Sequence, residues 1–472
     1  MNTFMNAMMT DDSRTANGAV AHSTSGSRIV DFFFMVGAAR KLPDDQIFQS
    51  FSAAYAENPQ LALRGLFWAR DIRGGAGERR VFRSILASLL KSGKSDVVAS
   101  VLKWVPFYGR WDDMFPLLGL NAGVDTVITA LVEKGLKSGD GLLAKWMPRK
   151  GAVAAKLRSS LGLTPRNYRK KIVSLSKTVE QQMSAGKWDS IEYSSVPSIA
   201  MKNYGKAFGA HDPLRFKAFK DALVKGEVKI NASAIFPHDV LKGKDPSIVN
   251  SQWKALPNWM EGSAVKGILP VIDVSASMDI RVPGSASTCM DVAIALGLYM
   301  AERNEGSFKD CIATFSQKPS WFNITGIDDV LVKSGIMQRD ANWGGNTNLT
   351  ALFDLMIDKA VREKVPQSEM PGMMIIVSDM QFDRAMTGVT PYKDAKFKFE
   401  SAGYKMPKIV FWNLNSPLGK GTIPVKFRDD GTALVSGFSP SILKSILSCK
   451  DLSPQTLVED TLNSSRYAQI KI

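Results

Sequence analysis

Residues 268–273 narrow the possible folds of this chain more than any other stretch. An apolar run of strand length ends on Asp273, Ser275 and Ser277 follow, and a helical pattern begins near Thr288. An uninterrupted apolar run suits a strand buried on both faces, as in a parallel sheet covered by helices. Oxygen-only side chains leaving such a strand suit a hard divalent cation, with Asp273 supplying charge and the two hydroxyls acting as neutral ligands. Ligands of open α/β sheets gather at the carboxyl ends of strands, where this triplet falls. The competing use of the same residues is structural, with Asp273 or Ser277 capping the next helix.

Two later segments carry matching chemistry. Residues 344–350 form a glycine turn that delivers the Thr347 hydroxyl to the start of an apolar-periodic helix. Residues 373–379 are a second buried-strand run ending on a carboxylate, Asp379. Asp273, Ser275, Ser277, Thr347 and Asp379, on three loops in this order, resemble the metal-ion-dependent adhesion site of von Willebrand factor A domains. That resemblance implies Mg²⁺, held by the serines and threonine, with the second Asp acting through water. Asn346 is the alternative to Thr347 in a register shifted by one residue.

A chain of 472 residues is long for one core and predicts two or three domains. It holds no apolar run of membrane-span length. Residues 1–26 are polar, lack the basic-then-apolar order of a signal peptide, and read as a disordered leader. Cys289, Cys311 and Cys449 match neither a disulfide framework nor a zinc spacing, which points to buried thiols in a reducing, cytoplasmic compartment. The three histidines are equally scattered. Charge is distributed unevenly. Residues 1–262 hold 37 Lys+Arg against 23 Asp+Glu, and residues 263–472 hold 23 against 22. Essentially all of the net +15 therefore belongs to the first part, and a field of that sign favours polyanions, nucleic acid first.

From Ser27 to about Tyr204 apolar residues recur at helical spacing. Asn58 before Pro59 reads as an N-cap with proline at the first helical position. Further helices are predicted at about 78–90, 95–104, 123–137 and 141–161. Short polar connections between them suggest an α-solenoid of HEAT-like helix pairs. Within this part Arg70, Arg73, Arg79 and Arg80 surround a glycine-rich turn, where backbone can approach a phosphate closely. The segment lacks the GKS/T ending of a P-loop, which excludes nucleoside triphosphate binding of that kind. Pairing with Asp71 and Glu78 is its structural alternative. Lys145, Arg149, Lys150, Lys156, Arg158, Arg166, Arg169, Lys170, Lys171 and Lys177 then follow with no acidic residue among them. A run this long repels itself unless something anionic neutralises it, so it reads as phosphate-contacting rather than merely solvated. Residues 107–114 set aromatics beside Arg110, a pattern that can stack bases. The structural reading is preferred there, with Trp111 as a core anchor and Arg110 paired to Asp112 or Asp113.

After a mixed segment at 194–262, strand and helix patterns alternate. Strands are predicted at 268–273, 311–315, 373–377, 408–413 and 433–437, and helices at 288–303, 348–363, 393–404 and 439–447. Such alternation builds a parallel sheet with helices on both faces. The expected organisation is a leader (1–26), a basic helical-repeat domain (27–262) and a von Willebrand factor A-like, Rossmann-like domain (263–472).

Basic helical repeats followed by an A domain resemble the TROVE-module proteins of the Ro autoantigen type. That likeness rests on domain order and on the Gly-Arg-Trp-Asp segment at 109–112. A closer resemblance is to a family of the same architecture found in plants, bacteria and phages. It is carried by residues 70–79, 144–148, 196–201, 410–413 and 434–439. The Ro resemblance implies a helical ring closed by the A domain and a ribonucleoprotein role. RNA is then the expected partner, and an acidic protein ligand at the metal site is the second reading. No Ser-His-Asp order, HExxH or Walker A segment is present, and the glycine loop at 419–422 is too short to count, so no enzyme is expected.

Overall fold

The computed structural model describes residues 12–263, 265, 267–282, 286–340, 344–384, 389–415 and 423–471. The glycine loop at 419–422 and the first eleven residues of the expected leader lie outside these. Side-chain caps start many of the helices: Asn58, Asn121, Asp140 and Thr164 each accept from the backbone N–H three residues on. Helices α1 (Arg28–Val36), α2 (Asp44–Glu57), α3 (Pro59–Arg70) and α4 (Arg80–Lys91) pack on one another in sequence. Their apolar faces interlock through aromatic rings, with Phe33 stacked on Trp68 at 3.9 Å and Phe67 edge-on to Phe82 at 5.3 Å.

The single helix expected at 141–161 is two, Gly141–Trp146 and Gly151–Ser160. Pro148 removes a backbone donor between them and Gly151 takes φ +85°, a turn that helical periodicity does not reveal. Helix α5 (Pro165–Leu175) follows, then α6 (Ser198–His211) and α7 (Pro213–Lys225). The last two enclose a separate small core built on Tyr193, Phe208, Phe216 and Phe219.

The second half is a six-stranded sheet in the order β5-β4-β3-β6-β7-β8, where β3 is Ile268–Asp273, β4 Cys311–Phe315, β5 Ser320–Asn323, β6 Met373–Ser378, β7 Lys408–Asn413 and β8 Thr432–Ser436. All neighbours are parallel except β4 and β5. This is the doubly wound order with one antiparallel edge, so the chain combines helical repeats with an A-type α/β domain. Strands β3 and β6 are buried at every position, as uninterrupted apolar runs require. Helix α8 (Cys289–Arg303) covers them closely: a Cβ at Gly297 would lie 2.0 Å from the Ile272 side chain. Beyond the predicted elements the chain forms β5, a helix at Val330–Asp340 and a C-terminal helix at Pro454–Asn463.

The two halves share one apolar core rather than meeting as separate bodies. Ser436 at the end of β8 donates to the Phe33 carbonyl and accepts from Gly37 N–H. The C-terminal helix packs on α3, and beyond it Arg466 and Tyr467 both bond the buried Asp71 carboxylate. The described part of the expected leader is also ordered. Strands β1 (Asp12–Arg14) and β2 (Val20–His22) form a hairpin, and His22 exchanges both backbone hydrogen bonds with Ile423. Its stability comes from docking on a partner hundreds of residues away, which local polarity cannot report. Among the described residues no helix is long and apolar enough to cross a membrane, and all three cysteines are free.

Candidate cation site and basic surfaces

The three loops predicted to meet do meet. Strands β3 and β6 are adjacent and parallel, so Asp273 and Asp379 leave the sheet side by side. The loop before helix α9 (Leu349–Arg362) is tied to the first by Ala276 N–H donating to Gly344 C=O at 3.0 Å. Asp273 is fully buried, accepts from Ser275 N–H at 2.9 Å, and accepts from the Ser378 hydroxyl at 2.5 Å. Ser275 and Ser277 hydroxyl oxygens lie 3.0 Å apart, and Ser277 also bonds Asp379. Thr347 is fully buried beside them, whereas Asn346 is exposed. Asn348 caps α9 by accepting from Ala351 N–H, which frees Thr347 from that job.

No basic side chain forms an ion pair with Asp273 or Asp379 among the described residues. Burial, followed by the charge of Asp379, pushes the Asp273 carboxyl up to about 7. Burial raises Asp379 as well. Two desolvated carboxylates and three hydroxyls form a donor set of oxygen alone, which fits a hard divalent cation and leaves a proton as the poor substitute. Sequence reasoning missed two participants. Ser378 directly precedes Asp379, and that adjacency is a readable signal. Asn17 of the N-terminal hairpin donates to Thr347 Oγ1 at 3.3 Å and to Gln381 C=O at 2.7 Å, with no local signal at all.

The arginines of the glycine-rich turn divide. Arg70 is only 1% exposed, donates from Nε to Asp113 at 2.7 Å and holds Nη2 2.6 Å from the same carboxylate oxygen as an ion pair, so it cannot reach a phosphate on the surface. Arg80 is partly committed, pairing with Asp44 at 2.6 Å and bonding the Leu42 carbonyl. The expected partners Asp71 and Glu78 belong to other arginines, Arg466 and Arg40. Arg73 and Arg79 carry no carboxylate partner among the described residues. Nor does Arg110, expected to pair with Asp112 or Asp113: Arg83 holds both of those, and Arg110 lies over the Trp146 ring at 4.4 Å. Trp111 is half-buried and donates from its indole to Asp140.

In the basic segment, Lys156 pairs with Asp125 at 2.6 Å, and Lys145 lies near the Trp146 ring at 5.7 Å. Arg149, Lys150, Arg158, Arg166, Arg169, Lys170, Lys171 and Lys177 have no carboxylate partner among the described residues. Helix α5 organises the densest part. Tyr168 and Ile172, four residues apart, face inward, and the Tyr168 hydroxyl donates to Pro148 C=O at 2.9 Å. Arg166, Arg169, Lys170 and Lys171 are left exposed. Tyr168 is therefore an anchor and not a base-stacking residue.

Two families, both described as domains of unknown function, match this chain. DUF2828 covers residues 15–101 and 144–263, and DUF7788 covers residues 268–469. The crystal structure of the Deinococcus radiodurans RO (RSR) protein superposes with a TM-score of 0.45 at 14% identity, over 93% of this chain and 100% of that one. A superposition that loose carries no argument, and the fold assignment rests on the strand order above. The mimivirus protein named "Uncharacterized protein L728", from Acanthamoeba polyphaga mimivirus, is 31% identical over 509 residues, spanning 95% of this chain and 87% of its own length. Both halves and their junction are shared at that coverage, and the chain belongs to the family of this mimivirus protein.

Proposed function

We propose that the protein is a non-enzymatic RNA-binding scaffold that grips RNA phosphates with the basic face of its helical half. The observation that carries this reading is the unpaired set on α5. Arg166, Arg169, Lys170 and Lys171 crowd the first two turns of a helix whose first turn has no acidic residue. Cations there oppose the positive end of the helix dipole, an arrangement that an anion would relieve twice over. Arg149, Lys150 and Arg158 extend the same sign of charge, and Lys177 continues it past the helix. The Ro-like order of a basic helical half followed by an A-type domain agrees with this reading.

The cation site supports a second reading, a Mg²⁺-dependent protein-binding module. Asp273, Ser275, Ser277 and Thr347 would hold the ion, with Asp379 at its side. The ion would supply a Lewis-acidic position that an acidic side chain of a partner can occupy.

Titrating the full chain with labelled RNA and with polyglutamate, in Mg²⁺ and then in chelator, separates the two. The RNA reading expects salt-dependent RNA binding that survives chelation. Polyglutamate binding that requires Mg²⁺, without RNA binding, would overturn it in favour of the second.

A further inference from the structure

A cavity of about 1090 Å³ lies between the two halves. The glycine-rich turn and the start of α4 form one wall, Ser439 to Ser441 of the A-type domain form another, and Phe236 and Trp259 contribute aromatic surface. Seven arginines line it: Arg40, Arg70, Arg73, Arg79, Arg80, Arg83 and Arg110. Four are neutralised by carboxylates, Arg40 by Glu78, Arg70 by Asp113, Arg80 by Asp44, and Arg83 by Asp112 and Asp113. Arg73, Arg79 and Arg110 have no carboxylate partner among the described residues.

Their lack of partners is not simple solvation. Arg79 and Arg110 are both partly buried, and Arg79 lies close enough to disfavour the charge on Arg110. Burial first, then Arg79 and Arg70, pull the Arg110 guanidinium down to about 10. The carboxylates around this cluster are already engaged: Asp71 by Arg466, Glu78 by Arg40, Asp44 by Arg80, Asp112 by Arg83, Asp113 by Arg70 and Arg83, and Asp239, which also lines the cavity, by Lys202. Asp113 alone accepts from Arg70, from Arg83 and from the Arg110 backbone N–H. The wall therefore carries a fixed surplus of two to three positive charges facing a space larger than a phosphate group.

We propose that this cavity binds a phosphomonoester, with Arg79 and Arg110 gripping the phosphate dianion and Arg73 joining from its exposed position. Guanidinium forks match phosphate oxygens in pairs, and two adjacent forks call for an anion with more than one charge. A carboxylate would leave the second guanidinium uncompensated. The remaining volume accommodates the group that carries the phosphate, with Phe236 and Trp259 as surfaces on which a flat ring can lie. That carrier is a mononucleotide or the phosphorylated end of a strand. The site is distinct from the α5 face, and the inference stands whether or not that face binds RNA.

Calorimetric titration of the full chain with adenosine 5′-monophosphate, adenosine, and a short RNA bearing either a 5′-phosphate or a 5′-hydroxyl tests it. The phosphate-bearing member of at least one pair is expected to bind about tenfold or more tightly than its phosphate-free counterpart, the scale of a lost charged hydrogen bond. Preference confined to the RNA pair identifies a strand end as the ligand, and preference in the nucleotide pair identifies a small molecule. Arg79→Gln is expected to weaken the preferred ligand about tenfold or more, because that side chain forms no hydrogen bond or ion pair among the described residues and its shortening leaves the fold intact. Replacing Arg166, Arg169, Lys170 and Lys171 by Gln is expected to leave the phosphate preference unchanged. Equal binding within both pairs, absence of binding by all four probes, or an Arg79→Gln protein that keeps its phosphate preference would each overturn the proposal.

Discussion

Replacing Arg70 by Met distinguishes a structural strut from a nucleic-acid contact at a position whose sequence context suggests the latter. The guanidinium is 1% exposed and Asp113 is fully buried, so the substitution strands a carboxylate in the interior. Removing one partner of a buried ion pair costs about 3–5 kcal/mol. Asp113 would keep Arg83 Nε at 2.8 Å and Arg110 N–H at 2.9 Å, which places the cost at the low end, about 3 kcal/mol. Because both halves share one core, the loss is spread over the whole chain, and at about 2 cal/mol/K of unfolding entropy per residue it lowers Tm by about 3 °C. Asp113→Leu in the same background should recover part of the loss, because it removes the stranded charge. Differential scanning calorimetry of the three proteins reads this directly. An Arg70→Met protein that melts with its parent but binds RNA more weakly would refute the strut and return Arg70 to the interface.

Mg²⁺ should raise Tm, and Asp273→Ala should abolish the rise while the fold persists, checked by calorimetry with circular dichroism. The pH dependence has a definite sign. Because the Asp273 carboxyl is raised from 3.8 to about 7, the folded protein holds a proton that the unfolded chain has released. Without metal, stability should therefore fall as pH rises through that window, and Mg²⁺ should restore it most at and above its upper end. A metal-free Tm that climbs across the same window would contradict the buried carboxylate pair. Gly37→Ala sets a Cβ 2.4 Å from the Ser436 carbonyl oxygen and should separate α1 from β8 at a cost of about 1–3 kcal/mol, read by denaturant melts.

The sheet and the cation loops were legible in the sequence because their signals are local. Uninterrupted apolar runs end on Asp273 and Asp379, and a glycine turn precedes Thr347. Helix starts with a side-chain cap, such as Asn58 before Pro59, were equally plain. What escaped depends on partners distant in sequence. The hairpin around Asn17 is polar by composition and docks on the loop that follows β6 and on Ile423. Arg70 and Arg110 carry the same charge in similar contexts, yet Asp113 neutralises the first and is unavailable to the second. Which arginine a carboxylate selects is a tertiary fact, decided here by Arg83 and Arg466, and no local pattern encodes it. The break at Pro148 was written in the residue itself, and the apolar period around it masked it.

The central claim is that exposed cations on α5 grip RNA phosphates. The direct test titrates labelled RNA into the full chain and into a variant with Arg166, Arg169, Lys170 and Lys171 all changed to Gln, across a range of salt concentrations. Each phosphate contact removed should reduce the slope of log affinity against log salt by about 0.7–0.9, so the variant should lose about 3 from the slope and bind far more weakly at low salt. An unchanged slope with unchanged affinity would remove this face from the interface and contradict the account.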